Sequence, residues 1–228
     1  MDEKISLSGL TGQSILVSDF DGTMTRFDFY DLVCREFPEI LRLGAWEQYE
    51  AGEITHFEAL RRMFAAIRSD EGRLLDIIRR MELEPRLGEA VVMLNRCGWN
   101  VVVASAGSAW YIDKLLAGAG VSVPVYSNPG RFTPQQGLEM SLPQDKTFMS
   151  PDLGVNKVAV VRDALKRSSR VAFAGDGKPD LAPALLVPPG LRFAKSWLAK
   201  KLREINEDYR PFDHWFEVAQ ALALEEGS

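Results

Sequence analysis

The chain has 228 residues, 46% of them hydrophobic, and a formal net charge of -5 from 27 Lys and Arg against 32 Asp and Glu. That length suits one large α/β domain or a core domain with a modest insertion, and the apolar fraction supports a real core rather than disorder. The basic residues are dispersed, which excludes no small anion but speaks against nucleic acid, and no apolar run approaches the ~20 residues that span a bilayer.

Ile15-Leu16-Val17 reads as a buried parallel strand, because a strand covered on both faces need not alternate. It runs into Ser18-Asp19-Phe20-Asp21-Gly22-Thr23 at its carboxyl end, where open α/β sheets place their ligands. The pattern then turns helical over 27–37, stopped by Pro38, and again over 46–51, 57–67 and 72–81. Thr55, with Glu58 three residues later, is a capping-box start. Pro85 separates this block from a helix over 86–96. Residues 27–85 are therefore expected to be a helical insertion between core segments 1–26 and 86–228.

A second buried strand over 101–104 ends in Ser105-Ala106-Gly107-Ser108 and precedes a helix over 109–117. Residues 123–126 read as a strand, Ser127-Asn128-Pro129-Gly130 as a turn, and 131–148 as a hairpin with a loop. An amphipathic helix over 157–166 leads to a strand over 171–174. Residues 185–187 form a further short strand closed by Pro188-Pro189-Gly190, and Trp215, Phe216 and Val218 pack a terminal helix onto the core. The alternation predicts an α/β, Rossmann-like fold with a mostly parallel sheet, helices on both faces, and a small helical cap after the first strand.

Cys34 and Cys97 are too few for a secreted disulfide framework and read as free thiols in a reducing compartment. Met1 to Lys4 lead into no signal-like apolar segment. The expectation is a soluble cytoplasmic protein, monomer or homodimer, with no membrane partner.

Three polar clusters each end an apolar strand: Asp19, Asp21 and Thr23, then Ser105, then Asp176 and Asp180. Lys157 opens a helix between the last two. Strand ends far apart in sequence meet at the carboxyl edge of such a sheet. Asp19 and Asp21 leave their strand on the same side, and two carboxylates so close repel unless a cation or a shared proton relieves them. A Walker-type nucleotide loop and a dinucleotide Gly-x-Gly-x-x-Gly fingerprint are both missing from the sequence.

The run Asp19-Phe20-Asp21-Gly22-Thr23-Met24-Thr25 resembles the first signature of the haloacid dehalogenase superfamily, in the form its phosphatases carry. Ser105 resembles the second signature, Lys157 the third, and Gly175-Asp176-Gly177-Lys178-Pro179-Asp180 the fourth, in the same order. The helical insertion is similar to the small cap of the phosphoserine phosphatase branch. Within that branch, Tyr126-Ser127-Asn128, Lys157 and Gly190-Leu191-Arg192-Phe193-Ala194-Lys195 look closest to the 2-hydroxy-3-keto-5-methylthiopentenyl-1-phosphate phosphatases and their relatives.

The resemblance implies that Asp19 is a nucleophile forming an aspartyl-phosphate and that Asp21 is the general acid. It implies Mg²⁺ held by Asp19, the backbone carbonyl of Asp21, and Asp176, with Asp180 in the outer shell fixing metal-bound water or Lys157. Ser105 and Lys157 would bind phosphate, supported by backbone N–H groups around Gly22-Thr23 and Ala106-Gly107. Phosphoserine phosphatases carry a substrate-contacting glutamate where Asp28 stands; Asp28 reads as a substrate contact or as a helix cap. Arg61 and Arg62 are candidate contacts for a second anionic group, with surface arginine as the alternative. His56 reads as an exposed or packed cap residue, and the aromatics between Phe27 and Phe64 read mostly as core, with one or two lining an apolar pocket. The activity expected is a Mg²⁺-dependent phosphomonoesterase acting on a small phosphorylated metabolite. A phosphomutase or phosphotransferase is the alternative, followed by a non-catalytic regulatory or binding protein.

Overall fold

The computed structural model describes residues 14–224. Met1 to Lys4 and the outermost parts of the two expected core segments, 1–13 and 225–228, lie outside the described residues. In chain order, β1 (Ser14–Ser18) is followed by α1 (Phe29–Glu36), α2 (Ala45–Glu50), α3 (His56–Ala65) and α4 (Glu71–Arg79). The α/β pattern resumes with α5 (Leu87–Arg96), β2 (Trp99–Ser108), α6 (Ala109–Gly118) and β3 (Val125–Asn128). Two small hairpins follow, β4 (Gly130–Thr133) with β5 (Gly137–Met140) and β6 (Met149–Ser150) with β7 (Gly154–Val155). The chain then forms α7 (Lys157–Arg167), β8 (Val171–Gly175), α8 (Leu181–Ala184), β9 (Arg192–Ala194), α9 (Ser196–Glu204), β10 (Arg210–Pro211) and α10 (Trp215–Leu224).

The main sheet is parallel, in the order β10-β9-β8-β1-β2-β3. β1 is central because its side chains serve two cores: Leu16 faces one apolar cluster, while Ile15 and Val17 face the other. The chain leaves β1 toward β2 and β3, then crosses to β8 on the other side. The strand order thus reverses at the carboxyl end of β1, the position where ligands bind in such sheets. Trp215, fully buried on α10, donates its indole N–H to Ser18 Oγ at 3.0 Å, so the expected terminal helix does close over β1.

Helices α1 to α4 hang from two antiparallel connectors. Thr25 bridges Leu83, Arg26 and Phe27 donate their N–H groups to Met81 O at 3.0 Å each, and Glu84 donates to Met24 O at 2.9 Å. The core grips the cap at a second place, the start of α3, where Phe57 N–H donates to Asp152 O at 2.7 Å. The capping box expected there forms only in part. Thr55 Oγ1 accepts from Glu58 N–H at 3.2 Å, but the Glu58 carboxylate turns away to Arg61 and Arg62.

Two strand readings are corrected. Residues 185–187 form no strand; they continue the turn after α8, and the inner strand is β9. The buried Arg192 guanidinium accounts for this, donating to Ala184 O at 2.9 Å and Val187 O at 3.1 Å in place of a sheet ladder. Ser127 and Asn128 belong to β3 rather than to a turn, and Asn128 Nδ2 ties β2 to the following loop through Ala106 O and Leu153 O. β2 also runs on to Ser108, with a register irregularity between Ala104 and Ser108, so Ser105 sits inside an irregular strand end. Cys34 and Cys97 are free thiols, as expected, and among the described residues no helix is long and apolar enough to cross a membrane.

Candidate active site

The loops after β1 and β8 press together. Gly22 adopts φ +69°, and a Cβ there would lie 2.6 Å from Asp176 Oδ2, so only glycine allows this approach. Thr23 Oγ1 donates to Asp176 Oδ1 at 2.9 Å and orients that carboxylate. Asp180 is fully buried. Its Oδ2 accepts from the N–H groups of Asp176 (3.1 Å) and Gly177 (2.9 Å), while Oδ1 receives Lys157 Nζ at 2.7 Å. Lys157 Nζ lies equally close, 2.7 Å, to Asp19 Oδ1. Of the two roles read for Asp180, holding Lys157 is the one this geometry displays.

One carboxylate oxygen from each of Asp19, Asp176 and Asp180 lies within 4.8 Å of the others. Burial, reinforced by Asp180, raises the Asp19 carboxyl well above its ordinary value, and the same two causes lift Asp176 to about 6. Burial opposes the charge on Lys157, yet Asp180 and Asp19 outweigh it and keep the ammonium protonated. Asp19 and Asp180 therefore share the Lys157 ammonium, while Asp176 feels Lys157 and Lys195 only through space. Hard oxygen donors with a surplus of negative charge fit a divalent cation such as Mg²⁺.

Asp21 occupies a different environment. Its Oδ2 accepts from Tyr111 OH at 2.8 Å and Ser105 Oγ at 3.2 Å, and its Oδ1 accepts from Phe29 N–H at 3.3 Å. Burial raises its pKa, and these neutral donors moderate the shift. Two carboxyl groups two residues apart are thus split between a charged cluster and a network of neutral donors. Tyr111 was not singled out in the sequence. The only signal was a hydroxyl-bearing aromatic four residues past Gly107, on the first turns of α6. A Cβ on Gly107 would fall 1.8 Å from Tyr111 Oη and 2.7 Å from Asp21 Oδ2, so this glycine makes the Tyr111–Asp21 contact sterically accessible.

Some expected phosphate donors are already engaged. Gly22 N–H donates to Thr25 Oγ1 at 3.1 Å, Thr23 N–H to Phe20 O at 3.2 Å, and Gly107 N–H to Ser105 Oγ at 2.9 Å. Gly22 and Thr23 shape the Asp176 contact instead. Ser105, Ala106, Gly107 and Lys157 line the cavity with Asp19, Asp21 and Asp176.

That cavity measures about 530 Å³ and lies between the sheet edge and the cap. Asp28 caps α1 by accepting Tyr30 N–H at 2.7 Å, and it also lines the cavity. Burial and the neighbouring Asp21 raise its carboxyl well above the usual range. Arg61 and Arg62 do not line the cavity. His56, Leu60 and Phe64 recur every fourth residue on the cavity face of α3, whereas both arginines lie on its exposed face, each 2.7 Å from Glu58. Those contacts, with Arg61 contributing most, hold the Glu58 carboxyl down at about 2. Of the two readings for His56, exposed or packed in the cap, the structure shows the packed one; it also lines the cavity, and burial lowers its pKa to about 4. His214 stands apart, beside the cap connectors.

The family model for haloacid dehalogenase-like hydrolases matches residues 16–185. A 2-hydroxy-3-keto-5-methylthiopentenyl-1-phosphate phosphatase from Geobacillus kaustophilus is 25% identical over 222 residues, covering 93% of this chain and 97% of that protein. Among solved structures, a hydrolase of the same superfamily from Salmonella enterica serovar Typhi superposes with a TM-score of 0.66 at 17% identity, over 93% of this chain and 72% of that one. A phosphoserine phosphatase from T. onnurineus gives 0.63 at 17% identity, over 98% of both chains. These structural likenesses speak for the fold, and the family-model match spans Asp19, Asp21, Ser105, Lys157, Asp176 and Asp180 alike. The chain belongs to the haloacid dehalogenase-like hydrolase family.

Proposed function

We propose that the protein is a Mg²⁺-dependent phosphomonoesterase that hydrolyses a small phosphorylated metabolite through an aspartyl-phosphate on Asp19. The observation that carries this reading is the division of labour between Asp19, beside Lys157, and Asp21, beside Tyr111 and Ser105. Asp19, Asp176 and the Asp21 backbone carbonyl would hold Mg²⁺, which when bound offsets negative charge on the phosphoryl oxygens.

Asp19 attacks phosphorus as the ester P–O bond breaks, and protonated Asp21 gives its proton to the departing alcohol oxygen. Asp21, now ionised, accepts a proton from the water that attacks the same phosphorus. The P–O bond to Asp19 then breaks and inorganic phosphate leaves. Lys157, anchored by Asp180, steadies the Asp19 carboxylate and offers positive charge to the transferred oxygens. The raised pKa of Asp21 suits it to begin the cycle protonated. The test is release of phosphate from p-nitrophenyl phosphate and from a metabolite panel, 2-hydroxy-3-keto-5-methylthiopentenyl-1-phosphate included, with Mg²⁺ or with EDTA. Lack of metal-dependent release from every compound refutes the reading.

A further inference from the structure

The cavity over Asp19 and Asp21 has two unlike halves. Its sheet side carries the groups assigned above to the phosphoryl group. Its cap side is a row of touching rings: Tyr30 and Trp46 with centroids 4.3 Å apart, Trp46 and Tyr49 at 5.1 Å, and His56 5.3 Å from Tyr49. The carboxyl groups of Asp28, Asp31 and Glu50 stand along this wall.

Charge in the cavity is one-sided. Six carboxyl groups line it, against the ammonium groups of Lys157 and Lys178. Lys157 is committed to Asp19 and Asp180. Lys178 Nζ lies 5.9 Å from the Tyr49 ring centroid, so one cation of the protein already faces this wall. His56 adds no positive charge at neutral pH. No arginine is among the described lining residues, since Arg61 and Arg62 are held by Glu58 on the far face of α3.

A bound divalent cation and a phosphate dianion cancel each other, and Asp21 enters protonated, so the acidic excess left facing the alcohol part of the substrate is that of the cap wall, Asp28, Asp31 and Glu50. A leaving group with a carboxylate would add to that excess and find no guanidinium. A neutral one would leave it uncompensated. A cationic group offsets it and also gains from the electron-rich ring faces, a contact worth about 0.5–2 kcal/mol.

We propose that the cap half of the cavity is a subsite for an ammonium group, so that the substrates are phosphate monoesters of amino alcohols, with Trp46 and Tyr49 as specificity-determining residues. This inference rests on the phosphomonoesterase reading above.

The test compares phosphocholine and phosphoethanolamine with 3,3-dimethylbutyl phosphate, the neutral carbon isostere of phosphocholine, and with phosphoserine. At least one ammonium ester is expected to exceed the isostere in kcat/KM by ~10-fold or more, with phosphoserine below it. Preference for the trimethylated ester assigns the selectivity to the rings; preference for the primary amine assigns it to the carboxylates. In Trp46→Leu the ratio of cation to isostere is expected to shrink several-fold. Equal kcat/KM for the ammonium esters and the isostere overturns the proposal. If no ester is turned over at all, calorimetric binding of phosphocholine and the isostere to the intact protein with Mg²⁺ decides. Selective binding of the cation keeps the subsite while the phosphatase reading falls, and equal or undetectable binding overturns the subsite.

Discussion

Gly107→Ala tests the link between backbone and general acid. The new Cβ would lie 1.8 Å from Tyr111 Oη, 2.8 Å from Tyr111 Cζ and 2.7 Å from Asp21 Oδ2. Tyr111 cannot yield easily, because it is 1% exposed and stacks on Phe29 with ring centroids 4.5 Å apart. Overpacking of a filled core costs about 1–3 kcal/mol, and losing a neutral hydrogen bond about 0.5–1.5 kcal/mol. The variant should therefore be about 2–4 kcal/mol less stable. Displacement of Asp21 by ~1 Å should lower kcat/KM on the order of 100-fold. Tyr111→Phe removes the nearest obstructing atom but leaves Cζ and Asp21 in place. The double variant should consequently be less destabilised than the sum of the singles, by at least about 1 kcal/mol of coupling. Urea unfolding and Mg²⁺-dependent hydrolysis of p-nitrophenyl phosphate measure both effects. An unchanged denaturation midpoint in Gly107→Ala, or additive singles, would refute the reasoning.

Asp19→Asn should abolish phosphoenzyme formation with little loss of stability; trapping with labelled substrate checks this, and residual turnover without deamidation removes Asp19 from its role. Asp21→Asn should slow phosphorylation by an alkyl phosphate more than by p-nitrophenyl phosphate, whose leaving group needs less protonation; equal losses in single-turnover assays contradict the assignment. Asp176 has a folded-state pKa of about 6 against an ordinary 3.8, so its protonation favours the metal-free fold at low pH. That stability is fully present below about 3.8 and is lost as pH rises through about 6, whereas apparent Mg²⁺ affinity should fall as pH drops through the same window. Calorimetric Mg²⁺ titrations from pH 5 to 8 check the second half, and a pH-independent affinity sinks it. Arg61→Ala and Arg62→Ala, on the exposed face of α3, should change kcat/KM less than ~2-fold, because surface ion pairs contribute little; a larger loss for either would bring that face back into the site.

What the sequence by itself determined was the part of this protein that depends on near neighbours in the chain. Ile15-Leu16-Val17 is legible because a parallel strand buried on both faces is continuously apolar. Asp19 and Asp21 are legible because alternate residues at a strand end share one side, and the recurrence of Ser105, Asp176 and Asp180 after later strands places them at the same sheet edge. The tertiary structure decided which of these neighbours do what. The Tyr111 hydroxyl meets a carboxylate 90 residues upstream, so helix periodicity alone reads its ring as core. On α3, pattern shows an amphipathic helix but not that His56 faces the cavity while Arg61 and Arg62 turn away; the packing of α3 on its neighbours sets that. The apolar triplet 185–187 has strand character, yet Arg192 claims the carbonyls around it. Periodicity is a property of the local chain. Which face is covered, which donor reaches which acceptor, and where a proton is held depend on groups that only packing brings together.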